Sequence, residues 1–170
     1  DQRRGVVVLF GGLDQARVVT DETWEWDGTN WTKHKPLIHP PARSHHAMTF
    51  DPAEQRIVLY GGEGRGWYND QWHWDGTVWI DVTTTPPGPA LNDTRMVYDT
   101  HRDRLVLWGG RFQPNDQAWE LEGDVWLTRQ LAQPAPPARQ AHTMAFDEVR
   151  GEVGVDEAGV EGDGADPSSG

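Results

Sequence analysis

No cysteine occurs among the 170 residues. A disulfide framework, a thiolate metal site and a cysteine nucleophile are therefore excluded, and cysteine usage leaves the redox compartment open. The sequence also lacks an apolar run near the roughly 20 residues of a membrane helix, and the N-terminus Asp1-Gln2-Arg3-Arg4 carries neither Met nor a signal-peptide pattern. We therefore expect no membrane partner and a chain cut from a longer protein.

Positive charge is scarce, with 15 Lys and Arg against 27 Asp and Glu, for a net charge of -12. Such a chain repels phosphate backbones, so nucleic acid is not an expected partner. Glycine, proline and tryptophan are abundant, with 19, 12 and 10 residues. A turn-rich chain with this many indoles favours short strands and packed aromatic layers. The length suits one domain.

The sequence repeats itself at a period of about 48 residues. Apolar runs end in the diglycines Gly11-Gly12, Gly61-Gly62 and Gly109-Gly110. A Trp-x-Trp-Asp-Gly segment or a variant follows each diglycine, at 24–28, 72–76 and 119–123, and a further tryptophan follows at 31, 79 and 126. A fourth element recurs at 48–51, 96–99 and 144–147. Each repeat therefore predicts four short strands.

Each motif also indicates where its strand lies. The wholly apolar run before a diglycine is typical of a strand buried on both faces. Trp24 and Trp26 share one face at period two, and this face must meet another sheet. Asp27-Gly28 predicts a hairpin, and the strand that starts at Trp31 turns polar, as an edge strand does.

These motifs resemble the kelch repeat, whose blades carry an apolar strand ending in Gly-Gly and a downstream Trp in the fourth strand. The similarity runs from Arg3 to about Asp147. Trp-x-Trp-Asp-Gly and the polar pairs Asn69-Asp70 and Asn115-Asp116 are similar to a bacterial variant of the family, from which Thr20-Asp21 departs. The resemblance implies a β-propeller with radial four-stranded blades, in which residues 47–50 and their copies form innermost strands.

We therefore predict an all-β fold, a partial kelch-type β-propeller of about three four-stranded blades within residues 1–150. The predicted units are a blade remnant at 5–34, blades at 43–82 and 91–130, and the start of a further blade at 139–150. Known propellers have at least about four blades, so this fragment does not close on its own. Its apolar ends need cover from the remaining blades or from a second copy of the chain.

Residues 151–170 differ in composition from the repeats. From 151 to 166 only Gly, Ala, Val, Asp and Glu occur. All five have codons that begin with G, so a reading-frame slip and a natural acidic linker both stay open. Low hydrophobicity and a lack of Lys and Arg predict an acidic, disordered tail.

Two Arg-x-x-His segments precede innermost strands, Arg43 with His46 and Arg139 with His142. At a channel mouth these four side chains are candidates for ligand binding, although their repetition in register equally suits a structural role. Ser44 is not expected to be activated by His45, because adjacent residues of a strand point to opposite faces.

The least repetitive segment is the loop of residues 63–68. It contains Arg65, Trp67 and Tyr68, the residue types enriched at binding hot spots. An exposed Trp67 would stack on a sugar ring or anchor a protein partner. The alternative is that Trp67 and Tyr68 cover the edge of an adjacent blade.

The sequence thus favours a non-catalytic binding or scaffolding module, with an unidentified protein or carbohydrate partner. We expect no catalytic residue, no metal and no cofactor. The resemblance leaves a second interpretation open, a fragment of a galactose-oxidase-like or sialic acid epimerase-like propeller enzyme or of a carbohydrate-binding protein. The sequence contains neither a copper ligand set nor a paired acid and base that would favour the enzyme.

Overall fold

A computed structural model describes residues 1–111, 117–130, 136–137, 139–140 and 142–156. Within these ranges the elements of regular structure are thirteen β-strands. The strands are β1 (Val7–Phe10), β2 (Thr23–Trp26), β3 (Trp31–His34), β4 (Ala47–Asp51), β5 (Arg56–Tyr60), β6 (Gln71–Trp74), β7 (Trp79–Asp81), β8 (Arg95–Asp99), β9 (Arg104–Trp108), β10 (Gln117–Glu122), β11 (Val125–Gln130), β12 (Thr143–Asp147) and β13 (Glu152–Asp156). No helix in the described residues is long and apolar enough to cross a membrane.

The strands form four antiparallel sheets in chain order. Sheet 1 contains β1–β3, sheet 2 contains β4–β7, sheet 3 contains β8–β11 and sheet 4 contains β12 and β13. The first strands of sheets 2, 3 and 4 lie next to one another, β4 beside β8 and β8 beside β12. The sheets therefore follow one another like propeller blades, and the series does not close. The predicted all-β, open propeller-like fold is confirmed.

Short turns join the two outer strands of sheets 1 and 2. The Asp27 carboxylate accepts hydrogen bonds from the backbone N–H groups of Thr29 and Asn30, at 2.7 and 2.8 Å. Asp75 accepts the same two bonds from Thr77 and Val78, at 2.7 and 2.9 Å. An Asp at this position therefore fixes the turn, as the Asp-Gly pairs predict.

Each sheet has a forward face, toward the next sheet in the chain, and a back face, toward the preceding one. The forward face of sheet 1 carries Val8, Phe10, Thr23 and Glu25, and it packs on the tryptophans of sheet 2's back face. The indole of Trp74 donates to Glu25 at 2.8 Å, and that of Trp79 donates to Thr23 at 2.9 Å. Polar bonds thus orient an otherwise apolar interface.

The other two interfaces between sheets have the same orientation, with the forward face of one sheet against the back face of the next. Val58 and Tyr60 on the forward face of sheet 2 pack against Leu105, Leu107 and other apolar residues of sheet 3. The forward face of sheet 3 packs against Val153 and Val155 of sheet 4, among others. Forward faces therefore always meet back faces.

The diglycines form backbone links between consecutive sheets. Gly12, Gly62 and Gly110 donate their N–H groups to the carbonyl oxygens of Arg43, Leu91 and Arg139, at 2.8, 2.8 and 3.1 Å. At Gly61, the first glycine of its pair, an added Cβ would lie 2.4 Å from the Leu91 oxygen. The motif is therefore explained by a close approach of two backbones, which the sequence pattern alone does not reveal.

The prediction that the chain is disordered from residue 151 onward is wrong for residues 152–156. These form β13, which pairs Val153 with Phe146 and Val155 with Met144. Composition averaged over twenty residues hides this five-residue alternation, whose two valines pack on sheet 3. The rest of the predicted tail, 157–170, lies outside the described residues.

We predict that Gly61→Ala destabilises the fold by at least about 2 kcal/mol more than Gly123→Ala, because only the first places a Cβ against a carbonyl oxygen. The backbone φ angles match, 64° at Gly61 and 62° at Gly123, and nothing lies within 4 Å of a Cβ at Gly123. Gly123→Ala thus reports the left-handed strain alone, about 1 to 2 kcal/mol. Urea denaturation measures both, and equal losses would contradict the proposed origin of the diglycine.

Candidate functional site

Arg43, a predicted ligand-binding residue, is fully buried. Its guanidinium forms two hydrogen bonds of 2.6 Å with the Asp70 carboxylate, and it donates to the carbonyl oxygens of Gly61 and Pro41 at 2.9 and 3.0 Å. Burial and these bonds leave it unable to contact a partner, so this prediction is wrong. Arg43 instead joins the connector between sheets 1 and 2 to the end of β5 and the start of β6.

Tyr68 lies against this buried arginine. The Arg43 guanidinium carbon is 4.2 Å from the centroid of the Tyr68 ring, a cation–π contact. Tyr68 is half-buried, and its hydroxyl accepts a hydrogen bond from the Arg65 N–H at 3.5 Å. Tyr68 therefore links the 63–68 loop to the buried Arg43.

His46 and His142 pack on the aromatic residues that precede the diglycines. His46 meets Phe10 edge-on, with ring centroids 5.9 Å apart, and His142 meets Trp108 at 5.1 Å. Burial, more than the nearby Arg43 charge, lowers the pKa of His46 to about 4. Burial likewise lowers the pKa of His142, which is only 1% exposed and cannot serve as the predicted ligand contact.

Arg139 is the counterpart of Arg43, two repeats further along the chain. Its Nε donates to the carbonyl oxygen of Pro137 at 3.2 Å, as Nε of Arg43 does to Pro41. Its guanidinium lies 5.9 Å from the Trp108 ring. Both arginines thus follow the register of the repeat, which favours the structural interpretation of the Arg-x-x-His segments.

Arg65 and Trp67 line an accessible cleft, which we name the Trp67 cleft. Its volume is about 390 Å³, and it is lined by Leu13, Val19, Ser44, His45 and residues 63–67. Both Trp67 and Leu13 are 52% exposed. The cleft therefore combines apolar surface from the loop after β1 with the loop between β5 and β6.

Backbone hydrogen bonds hold the loop of this cleft in place. Ser44 and Glu63 exchange two N–H···O bonds of 2.8 Å each. Within the loop, Gly64 donates to Gly66 and Tyr68 donates to Gly62, both at 2.9 Å. Trp67 thus lies on a loop that backbone hydrogen bonds hold in place, although the loop contains two glycines.

The geometry of Ser44 and His45 differs from the prediction. His45 has a left-handed backbone, with φ of 57°, so the two side chains lie together and Ser44 Oγ is 2.9 Å from His45 Nδ1. Glu63 Oε1 lies 3.2 Å from that same nitrogen. A catalytic triad needs a carboxylate hydrogen-bonded to the ring nitrogen opposite the hydroxyl, and the carboxylate on that side, Asp93, lies 3.7 Å from His45 Nε2, beyond hydrogen-bond distance. This arrangement therefore does not activate the buried Ser44.

Among the residues that line the Trp67 cleft, the sequence names Trp67 and Arg65 as candidates. It does not name Leu13, Val19 and His45, because their proximity to Trp67 depends on how sheets 1 and 2 stack. In the sequence, the apolar Leu13 directly after a diglycine is the feature that points to this side of the cleft. Among the described residues, no group of three or more His, Asp or Glu side chains is placed to hold a metal ion.

We predict that Arg43→Lys destabilises the fold by about 2 kcal/mol, because an ammonium group cannot form the bidentate pair of hydrogen bonds with the Asp70 carboxylate. Arg65→Lys is the matched control, since this side chain is exposed and a change there is expected to stay within about 0.5 kcal/mol. Urea denaturation of both variants tests the prediction, and equal stability would contradict it.

Stability is also expected to fall as the pH drops from 7 to 5. The unfolded chain protonates His46 near pH 6.5, whereas the folded chain resists until about pH 4, so acid favours unfolding. This difference costs about 2 kcal/mol at pH 5. His73, whose pKa burial lowers to about 4, adds to the trend. Free energies of unfolding at both pH values should show a smaller loss in His46→Leu, and an unchanged loss would contradict the assignment.

Comparison with known proteins gives a likeness in fold alone. No family model and no curated protein sequence matches the chain. A solved structure titled "Structure of YjhT" is similar, with a TM-score of 0.63 and 13% sequence identity. The match covers 85% of this chain and 54% of that one, so the chain spans about half the length of YjhT. Because the sequence identity is only 13%, the comparison shows a shared propeller-like fold and nothing about function.

Proposed function

We propose that the chain is a kelch-type propeller segment of bacterial type that serves as a non-catalytic binding module and holds a protein partner in the Trp67 cleft. The observation that carries the proposal is Trp67 itself, 52% exposed on a loop fixed by backbone bonds. The diglycine repeats and their links between sheets support the kelch assignment.

The composition of the cleft fits a protein interface. Trp67 and Leu13 supply apolar area, while Arg65 and Glu63 supply charges of both signs at its margin. Interfaces commonly combine an aromatic anchor with a polar rim. Because the loop is already ordered, binding would not have to offset a large loss of loop entropy.

A carbohydrate is the second candidate occupant, and one observation favours it. His45 lies in the same cleft as Trp67, with its Nδ1 3.2 Å from Glu63 and its Nε2 3.7 Å from Asp93. A sugar ring stacked on the indole would place hydroxyl groups near these polar side chains. This interpretation includes the sugar-binding or enzyme fragment that the kelch resemblance leaves open.

We expect peptides selected from a random phage-displayed library against the full chain to bind at least about tenfold more weakly to Trp67→Ala, because an aromatic anchor carries much of an interface's energy. Ile80→Ala is the control, since Ile80 is also an exposed apolar residue, at 49%, and lies on outer strand β7. Dissociation constants from isothermal calorimetry measure the difference.

Equal binding of wild type and Trp67→Ala would contradict the cleft assignment. Failure to select any peptide, together with binding on a glycan array that Trp67→Ala abolishes, would favour the carbohydrate instead. Unfolding curves of both variants separate lost binding from lost stability.

A further inference from the structure

The back face of sheet 1 is an exposed apolar surface. Val7 is 58% exposed, Leu9 43% and Trp31 48%, and Trp26 lies on the same face. The counterparts of Trp26 and Trp31 in sheet 2 are Trp74 and Trp79, which are buried against sheet 1. No sheet covers this face within the described part of the chain.

The other end of the sheet series is open in a complementary way. A cavity of about 390 Å³ lies between the forward face of sheet 3 and sheet 4, and Val106, Trp108, Glu120 and Val153 are among its lining residues. Strands β12 and β13 correspond to β4 and β5. The cavity therefore lies where a third and a fourth strand, counterparts of β6 and β7, would pack on sheet 3.

The two ends also complement each other in strand number. In sheets 2 and 3 the second strand pairs on both sides, with β5 lying between β4 and β6. Strand β1 is the counterpart of β5, yet it pairs only with β2 among the described strands. A copy of β12 beside β1 would give a complete four-stranded sheet.

Strand β13 occupies the position beside β12 that β1 of a second copy would take. Its sequence favours a strand less than that of β1 does. Gly154 stands opposite Ala145, at the register position that Val58 occupies opposite Thr49. Glycine inside a strand weakens it, and the residue at this position in β1 is Val8. By strand propensity, the β1 strand of another copy is therefore better suited than β13 to pair with β12.

We propose that a second copy of this chain docks head to tail, with its sheet 1 replacing β13 beside β12 and its back-face tryptophans filling the cavity on sheet 3. Each copy then contributes two complete four-stranded sheets and shares two mixed ones with its partner, so two such contacts close a ring of six sheets.

Glu120 provides a specific contact for this docking. It stands opposite Val106 as Glu25 stands opposite Val8, and Glu25 accepts the indole N–H of Trp74. Trp26 is the counterpart of Trp74. In the assembly, Trp26 of the second copy thus faces Glu120, which is buried at the edge of the cavity.

Sedimentation velocity of the full chain, from about 1 to about 100 µM, tests the assembly. We expect a dimer, and we expect Trp31→Ala to weaken its dissociation constant by about tenfold or more. Trp67→Ala is the matched control, because its indole is 52% exposed against 48% for Trp31, yet it lies outside both open ends. An equal effect of the two changes would overturn the proposal.

Engineered cysteines test the strand pairing independently, since the chain has none of its own. Full chains carrying Val8→Cys and Ala145→Cys separately are mixed and oxidised. The register of β4 with β5, which pairs Thr49 with Val58, places these two cysteines opposite each other across the copies. We expect a disulfide-linked heterodimer, and far less of it when Ile80→Cys replaces Val8→Cys.

A monomer at every concentration that forms no cross-link would overturn the proposal, as would equal cross-linking through Ile80→Cys. If Trp31→Ala proves poorly folded, the cross-linking experiment still tests the proposed assembly. Peptide binding through Trp67 is measured separately, so failure of the assembly and failure of the proposed function are distinguishable.

Discussion

The structure depends on a hydrogen bond from the second glycine of each diglycine to a carbonyl oxygen at the start of the next unit. This bond joins Gly12 to Arg43, Gly62 to Leu91 and Gly110 to Arg139. It sets how closely consecutive sheets approach, and thereby which forward-face side chains reach the indoles of the next sheet. Because the sheets are apolar on both faces, this spacing governs most of the core.

The same connectors position the Trp67 cleft. The Arg43 carbonyl accepts the Gly12 N–H, while its side chain holds Asp70 and lies on Tyr68. Ser44, the next residue, exchanges two backbone bonds with Glu63 at the base of the 63–68 loop. One connector therefore fixes both the stacking of sheets 1 and 2 and the loop that presents Trp67. A buried arginine can therefore shape a surface cleft that it does not itself line.

The sequence predicts the strands well because their signals are local. The diglycine repeats, the alternating tryptophans and the Asp-Gly turns each depend on neighbouring residues. The burial of Arg43 and His142, the placement of Leu13 and Trp67 along one cleft and the packing of β13 on sheet 3 depend instead on contacts between sheets. Those contacts follow from stacking geometry, which a single chain's periodicity does not specify.

Stacking order also separates the proposed binding cleft from the faces of the proposed assembly. The Trp67 cleft lies between the loops of sheets 1 and 2, whose interface is internal to one chain. The open faces lie at the far side of sheet 1 and beside sheet 3, so covering them leaves the cleft intact. A two-copy ring would carry the cleft twice at a fixed separation, and a partner with two matching segments would then gain avidity without any new contact. Assembly would thus strengthen binding through geometry, even though neither site contributes a residue to the other.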